Sequence, residues 1–300
     1  VARVIPENGA IYVSPKAGIK VTFNQAMQAG PTQELFSLTP KGEASADGQF
    51  AWEGPTLIFT PTQPLERGMV YEGRVREGAP AASGEAALGQ DATWQFTVAP
   101  LPEALKFSQA GATRVELGAD MQITFSSHIS IPTFSQGAVI SPSVDFGAWW
   151  NNEDTTAYLY GAFKPSTQYV LTLTNKITDR WGEPLRKATS YRFKTAPYPP
   201  SATLNVPDMV SSYNAYGKPT ISVSYRNVSR LNLALYSISV DELVSLTGEN
   251  SYEAWTKFRG RQGNLINRWS QGVRPALNET GTYTHSVTTD TGAPLEAGLY

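Results

Sequence analysis

The chain contains no cysteine. Thiol nucleophiles, disulfide staples and thiolate metal sites are therefore excluded within its 300 residues. The compartment stays open on this ground, since many exported β-domains also lack cysteine. Histidine is nearly absent too, with only His128 and His285. Adjacent residues of a strand face opposite ways, so His285-Ser286 does not read as a nucleophile pair, and His285 is expected to face solvent. Charged residues make up only 17%, with a net charge of −2. The first, second and last hundred residues carry 7 basic and 10 acidic, 9 and 8, and 8 and 8 groups. No third is a polycation, which removes the electrostatic case for nucleic acid or an anionic membrane as partner.

No apolar run approaches the roughly 18 residues a membrane span needs, and no signal-peptide pattern opens the chain. The start at Val1 and the stop at Gly298-Leu299-Tyr300, which reads as a strand opening, lead us to expect a segment of a longer protein. Catalytic signatures are missing as well. There is no Gly-x-Ser-x-Gly elbow, His-Glu-x-x-His pair, phosphate loop or dinucleotide fingerprint. We therefore expect no catalytic residue, no cofactor and no metal. Asn151-Asn152-Glu153-Asp154 offers oxygen ligands, but without alternating spacing or a turn glycine, and a polar hairpin turn is the better reading. The sequons Asn227-Val228-Ser229 and Asn278-Glu279-Thr280 read as chance occurrences.

What is present is turn chemistry and repetition. Proline occurs 21 times, glycine 25 times, and aromatics reach 11%. Val21-Thr22-Phe23 recurs as Ile123-Thr124-Phe125, Leu38-Thr39-Pro40 as Ile140-Ser141-Pro142, and Phe96-Thr97-Val98-Ala99-Pro100 as Phe193-Lys194-Thr195-Ala196-Pro197. A period of about a hundred residues is the length of a whole β-sandwich and too long for a solenoid unit. Period-2 alternation marks strands at Ile19–Phe23, Phe36–Pro40, Met69–Val75 and Trp94–Val98. A hairpin is predicted from Phe50–Trp52 and Leu57–Pro61 around Glu53-Gly54-Pro55. Residues 78–91 are small and polar and are expected to form a mobile loop. The second third repeats the plan, with strands at Met121–Phe125, Val139–Ser141, Val144–Trp149, Thr156–Tyr160, Tyr169–Thr174 and Tyr191–Thr195.

Ala99-Pro100-Leu101-Pro102 and Ala196-Pro197-Tyr198-Pro199-Pro200 read as semi-rigid joints. Beyond the second joint the repeat stops. Ile221, Val223 and Tyr225, then Leu231, Leu233 and Leu235, alternate around Arg226–Arg230 and predict a β-hairpin with one buried face. Two helical stretches follow, the first over Asp241–Leu246 with an acidic start, the second over Ser251–Phe258. The reading is an all-β chain of domains at 1–100, 101–198 and 201–300, the last with a short helical insertion and a truncated C-terminus.

Two surfaces stand out as candidates for partners. Trp149-Trp150 sits beside the polar turn. One indole is expected in the core and the other exposed, where it would stack on a sugar or dock a partner. Trp52, Trp94, Trp181 and Trp255 read as core or inter-domain packing. Lys257, Arg259, Arg261, Arg268 and Arg274 lie in a stretch without acids, with Phe258 and Trp269 interleaved. This reads either as a docking patch for an acidic partner or as a solvated loop.

Pro6-Glu7-Asn8-Gly9-Ala10, Val21-Thr22-Phe23-Asn24-Gln25-Ala26-Met27, Leu57-Ile58-Phe59-Thr60-Pro61, Pro64-Leu65, Tyr71 and Phe96-Thr97 together resemble the bacterial Ig-like domain of surface-layer and other exported proteins. In the second third Gly111-Ala112 replaces the opening Pro-x-x-Gly, and Ser126-Ser127-His128 replaces Asn-Gln-Ala-Met. Residues 201–300 resemble the first macroglobulin domain of bacterial α2-macroglobulin homologues. They do so through Val223–Val228, Leu231–Tyr236 and Pro294-Leu295-Glu296-Ala297-Gly298-Leu299-Tyr300.

The resemblance implies tandem Ig-like or fibronectin-like sandwiches followed by a macroglobulin-type sandwich. In function it implies the non-catalytic N-terminal region of a broad-spectrum protease inhibitor, serving as spacer or docking arm and as the start of the macroglobulin ring. Proteases would be the targets of the full protein, and other cell-envelope proteins are possible partners. The location would be the periplasm or cell surface, with any membrane anchor outside this chain. With no cysteine, the family's internal thioester cannot lie here. The alternative is a surface-layer or adhesin module binding glycan or cell wall.

Overall fold

The structure is a computed structural model that describes residues 1–40, 44–206, 211–214, 217–247 and 251–300. Its chain forms two compact units. One comprises Val1–Phe163 with Thr167–Lys194, and the other Lys164–Ser166 with Thr195–Tyr300. The first unit holds two sandwiches, each with its own core.

The first sandwich contains β1 (Arg3–Ile5), β2 (Ala10–Val13), β3 (Ile19–Thr22), α1 (Ala29–Glu34), β4 (Phe36–Pro40), β5 (Gly48–Glu53), β6 (Thr56–Pro61), β7 (Val70–Val75) and β8 (Ala92–Val98). One sheet runs β1-β3-β6-β5, the other β2-β8-β7-β4. Alternation does what period-2 patterning requires: Ile19, Val21, Leu57, Phe59, Tyr71, Val75, Trp94, Phe96 and Val98 all point into one core. The predicted hairpin is present as β5–β6, with Trp52 opposite Leu57. β2 pairs in parallel with β8.

Residues 78–91, expected from their composition to form a mobile loop, are anchored at their base by hydrogen bonds. Gly78 N–H donates to Leu88 O at 2.8 Å, Ala81 N–H to Ala86 O at 2.8 Å, and Gln28 N–H to Pro80 O at 2.9 Å. Ala79 and Ala81 are buried. The end of the segment is tied by Asp91, which accepts from Glu77 N–H at 2.8 Å and Arg74 Nε–H at 2.9 Å. The Glu77 amide first, then Arg74, hold its carboxyl below the ordinary range. Ala79 and Ala81 pack inward, while residues 82–87 form an exposed tip.

The second sandwich contains β9 (Ala104–Phe107), β10 (Met121–Phe125), α2 (Ile131–Gly137), β11 (Ala138–Ser141), β12 (Phe146–Trp150), β13 (Thr156–Gly161), β14 (Gln168–Leu173) and β15 (Thr189–Lys194). Its sheets run β12-β13-β10-β9 and β11-β14-β15. The sequence repeat is a repeat of core contacts. Tyr71 stacks on Phe96 at 5.8 Å and 11°, and Tyr169 on Phe193 at 5.5 Å and 25°. Phe23 stacks on Trp52 at 6.2 Å and 23°, and Phe125 on Trp150 at 5.9 Å and 23°.

The second unit contains β16 (Ser201–Asn205), β17 (Thr220–Arg226), β18 (Arg230–Tyr236), α3 (Val240–Thr247), α4 (Ser251–Lys257), a 3-10 turn, β19 (Leu265–Gly272) and β20 (Thr280–Ser286). The predicted β17–β18 hairpin does not form. β17 pairs with β16 and β20, whereas β18 pairs with β19. The short link between them crosses from one sheet to the other, turning at Asn227 with φ +53°. The alternating runs do turn Val223, Tyr225, Leu231 and Leu233 into one core, but pairing is decided by partners far along the chain. His285 is half-buried and stacks on Trp269 at 4.7 Å, so it does not face solvent as expected. The first helix begins earlier than its acidic residues suggest, at Val240. Ser239 Oγ accepts from Glu242 N–H at 3.2 Å while Glu242 Oε2 accepts from Ser239 N–H at 2.8 Å, a reciprocal capping box.

Candidate functional site

Trp149 and Trp150 divide as strand geometry demands. Trp150 points inward, packing edge-on to Phe134 at 5.0 Å as well as on Phe125. It occupies the place that Trp52 holds in the first sandwich. Trp149 points outward and is 55% exposed. It stands opposite Tyr158 on β13, and the two rings stack at 3.7 Å and 2°. Two residues further on the same face, Tyr160 is 60% exposed and pairs with Gly147. Its ring lies across that glycine, and a Cβ there would collide with it. Beside it runs an open depression of about 690 Å³ lined by Asp145, Phe146, Gly147, Tyr160, Gly161 and Ala162. Sequence reasoning named Trp149 and missed Tyr158 and Tyr160. The signal was there, because Tyr158 and Tyr160 alternate on a recognised strand.

The turn at Asn151–Asp154 is a polar hairpin turn. Asn151 Oδ1 accepts from the N–H groups of Thr155 and Thr156, both at 2.9 Å, and Asp154 pairs with Arg180 at 3.0 Å. Among the described residues no group of three or more metal-ligating side chains converges. No helix among them is long and apolar enough to cross a membrane.

The five basic residues between Lys257 and Arg274 do not gather into one free patch. Lys257 pairs with Glu253 one turn back on α4. Arg261 Nε–H reaches Glu242 at 3.0 Å. Arg259 donates to the carbonyls of Thr256 and Phe258, and Arg268 to Tyr236 Oη at 3.3 Å. Arg274 is exposed beyond β19. The stretch itself lacks acids, but the helices before it supply them.

The proline joint between the two sandwiches of the first unit was legible in the sequence, but the ion pair that locks it was not. Arg67, in the turn before β7, ion-pairs with Asp179 of the second sandwich. Asp179 is fully buried, and the Arg67 side chain is 14% exposed. Arg67 also donates to Ala99 O at 2.7 Å and Pro100 O at 2.8 Å, in the proline joint itself, and its guanidinium lies 5.0 Å over Trp181. Asp179 accepts from the N–H groups of Trp181 and Glu183, each at 3.0 Å. His128 packs between Tyr12 at 4.8 Å and Trp181 at 5.9 Å. A planar donor fork suits this arrangement, since one side chain serves two carbonyls and a carboxylate.

In the second unit the two sequon asparagines bind each other. Asn278 N–H donates to Asn227 Oδ1 at 2.7 Å, and Asn227 Nδ2 donates to Tyr198 O at 2.6 Å. Asn278 Oδ1 accepts from Tyr198 N–H at 2.8 Å, and its Nδ2 reaches Ser166 Oγ at 3.0 Å. Both have positive φ, 53° and 68°, where asparagine is favoured. Arg226 covers the Tyr198 ring at 4.3 Å. These residues tie together the start of the second unit.

Comparison with known proteins places the repeat. Residues 1–98 and 107–195 each match the bacterial Ig-like domain family. No curated protein matches the chain. Among solved structures, native α2-macroglobulin from Escherichia coli spanning domains MG0-NIE-MG1 is similar at 14% identity and a TM-score of 0.31, covering 66% of this chain and 64% of that one. The N-terminal part of the bacterial S-layer protein SbsC is similar at 14% identity and a TM-score of 0.26, covering 62% and 43%. An L,D-transpeptidase from Mycobacterium smegmatis is similar at 12% identity and a TM-score of 0.25, covering 59% and 76%. The chain thus spans less than two thirds of the first of these. With both sandwiches matched in sequence and built on one set of core contacts, the chain belongs to the bacterial Ig-like domain family.

Proposed function

We propose that this chain is a non-catalytic spacer and docking arm on an exported bacterial protein, at the periplasm or cell surface. The observation that carries this reading is the joint built from Arg67, Asp179 and Trp181. A proline linker alone would leave two sandwiches free to bend. A buried ion pair that also binds the linker's own carbonyls holds them in one orientation, which is what a spacer requires. Within that role, the strand and turn pattern of residues 201–300 supports a parent protein of the α2-macroglobulin type. Its targets would be proteases, and this chain would lead into its macroglobulin ring.

The chain's lack of cysteine makes the test direct. Spin labels on Gln49→Cys and Lys187→Cys, one on each sandwich, report the inter-domain distance distribution. A rigid arm gives one narrow peak that broadens in Arg67→Ala. A distribution equally broad with and without Arg67 removes the spacer reading. For the parent protein, incubation with endoproteases of different specificity is expected to leave small-peptide hydrolysis intact while protecting large protein substrates. Unimpeded digestion of large substrates by every protease would rule out the inhibitor.

A further inference from the structure

We propose that the outer face of β12 and β13 is a binding platform for a neutral polysaccharide, with Trp149 and Tyr160 stacking on successive pyranose rings. The two Ig-like sandwiches provide an internal control. Where the second sandwich has Trp149 paired with Tyr158, the first has Ala51 paired with Ile58. Where the second has Gly147 paired with Tyr160, the first has Gln49 paired with Thr60. The inward partners of the same strands keep their roles, Trp52 matching Trp150 and Phe23 matching Phe125. The fold therefore needs no aromatic on this outer face, since the first sandwich forms the same strand pair without one. The three rings are an addition to one copy of a repeated domain.

Their arrangement suits a sugar chain. The Trp149–Tyr158 stack at 2° fixes the indole, so little side-chain freedom remains to be lost on binding. Gly147 lets the Tyr160 ring lie against the strand, where any larger residue would lift it. Aromatic faces pair with the C–H faces of a pyranose, while the ring's hydroxyls need polar partners at the rim. The rim supplies them: Gln122 neighbours Tyr158 on β10, Thr124 lies beyond it, and exposed Asp145 borders the depression next to Tyr160. Asp145 also decides between ligands, because a carboxylate beside the platform disfavours a uronate or phosphate-bearing polymer. The open depression leaves room for a chain to continue past Tyr160. This inference is independent of the spacer reading, which rests on the joint at Arg67 and Asp179.

The test uses the whole 300-residue chain. Cellohexaose, chitohexaose and mannohexaose are titrated while tryptophan fluorescence and calorimetric heat are followed. We expect one of them to bind with a dissociation constant near 1 mM or tighter, roughly the range one or two stacking contacts reach. Tyr160→Ala, which leaves the Trp149–Tyr158 stack intact, should weaken binding by about tenfold. Trp149→Ala should abolish it, and Gly147→Val, which displaces the Tyr160 ring, should weaken it about as much as Tyr160→Ala. Each variant is checked by thermal melting. Ala51→Trp in the first sandwich should create no binding, because Ile58 and Gln49 do not complete the platform. Absence of binding to all three glycans overturns the proposal. So does binding unchanged in Tyr160→Ala, or a self-association of the chain that Trp149→Ala removes while no glycan binds.

Discussion

Replacing Arg67 by Met keeps most of the side chain's apolar stem and removes every donor. The structure then loses an ion pair to Asp179, hydrogen bonds to Ala99 O and Pro100 O, and a cation above Trp181. Removing one partner of a buried ion pair costs about 3–5 kcal/mol when the other stays buried. Asp179 keeps two backbone donors, from Trp181 and Glu183. These place the expected cost near the lower limit, about 3 kcal/mol. The sandwiches have an escape, since opening the joint would hydrate Asp179. The cost is therefore capped by the free energy that holds the joint closed.

A double-mutant cycle with Asp179→Asn isolates the pair. The coupling should be about 2–3 kcal/mol, against less than about 1 kcal/mol for an exposed pair. Multidomain unfolding is not two-state, so the assay is amide hydrogen exchange at Trp181 and Glu183, with Trp181 fluorescence as a second probe. Additive single-mutant effects, with coupling under about 0.5 kcal/mol, would refute the claim that this pair locks the joint.

Other outcomes follow from the same contacts. Trp150→Ala should cost about 3 kcal/mol in the stability of the second sandwich, and Trp149→Ala under about 1 kcal/mol, by amide exchange in β10 and β14. Equal costs would mean the inward and outward assignments are wrong. Expression in a eukaryotic secretory host should leave Asn227 and Asn278 unglycosylated by intact mass, because their amides are engaged with each other and with Tyr198. Asn227→Ala should cost the last domain about 1–3 kcal/mol, read from its melting transition. The Glu242 carboxyl is held below its ordinary value of 4.5, first by the Ser239 amide and further by the Ser239 hydroxyl and Arg261. Its lowered value means that the capping box contributes above pH 4.5 and fades as pH falls through the folded-state value. Protection factors of the α3 amides, corrected for the intrinsic pH dependence of exchange, should therefore fall on acidification, and Glu242→Gln should blunt that dependence.

How much of this was legible depended on distance along the chain. The strands of the first unit follow from period-2 alternation, and their core residues follow with them, because one buried face imposes that pattern. The hundred-residue repeat reflects conserved stacking partners, Tyr71 with Phe96 and Tyr169 with Phe193. Trp149-Trp150 declared opposite faces but not which was inside. The match of Trp150 to Trp52 within the repeat holds that answer. β2 is short and non-alternating and α1 lacks a side-chain cap, so neither carried a local signal, whereas α2 opens on Ser130 with a proline in its first turn. The ion pair that locks the joint was hidden for a different reason. Arg67 and Asp179 are ordinary turn residues until folding brings them together across more than a hundred positions. The link between β17 and β18 looked like a hairpin because two alternating runs flank a turn. Only the pairing partners β16, β19 and β20 decide that it is a crossing between sheets.

Residual dipolar couplings on the two Ig-like sandwiches test the central claim most directly. If Arg67 and Asp179 lock the joint, couplings from residues 1–98 and from residues 107–195 fit a single alignment tensor, with the sandwiches oriented as in the structure. Two tensors of different magnitude would mean that the sandwiches reorient independently, and the arm would be a flexible tether.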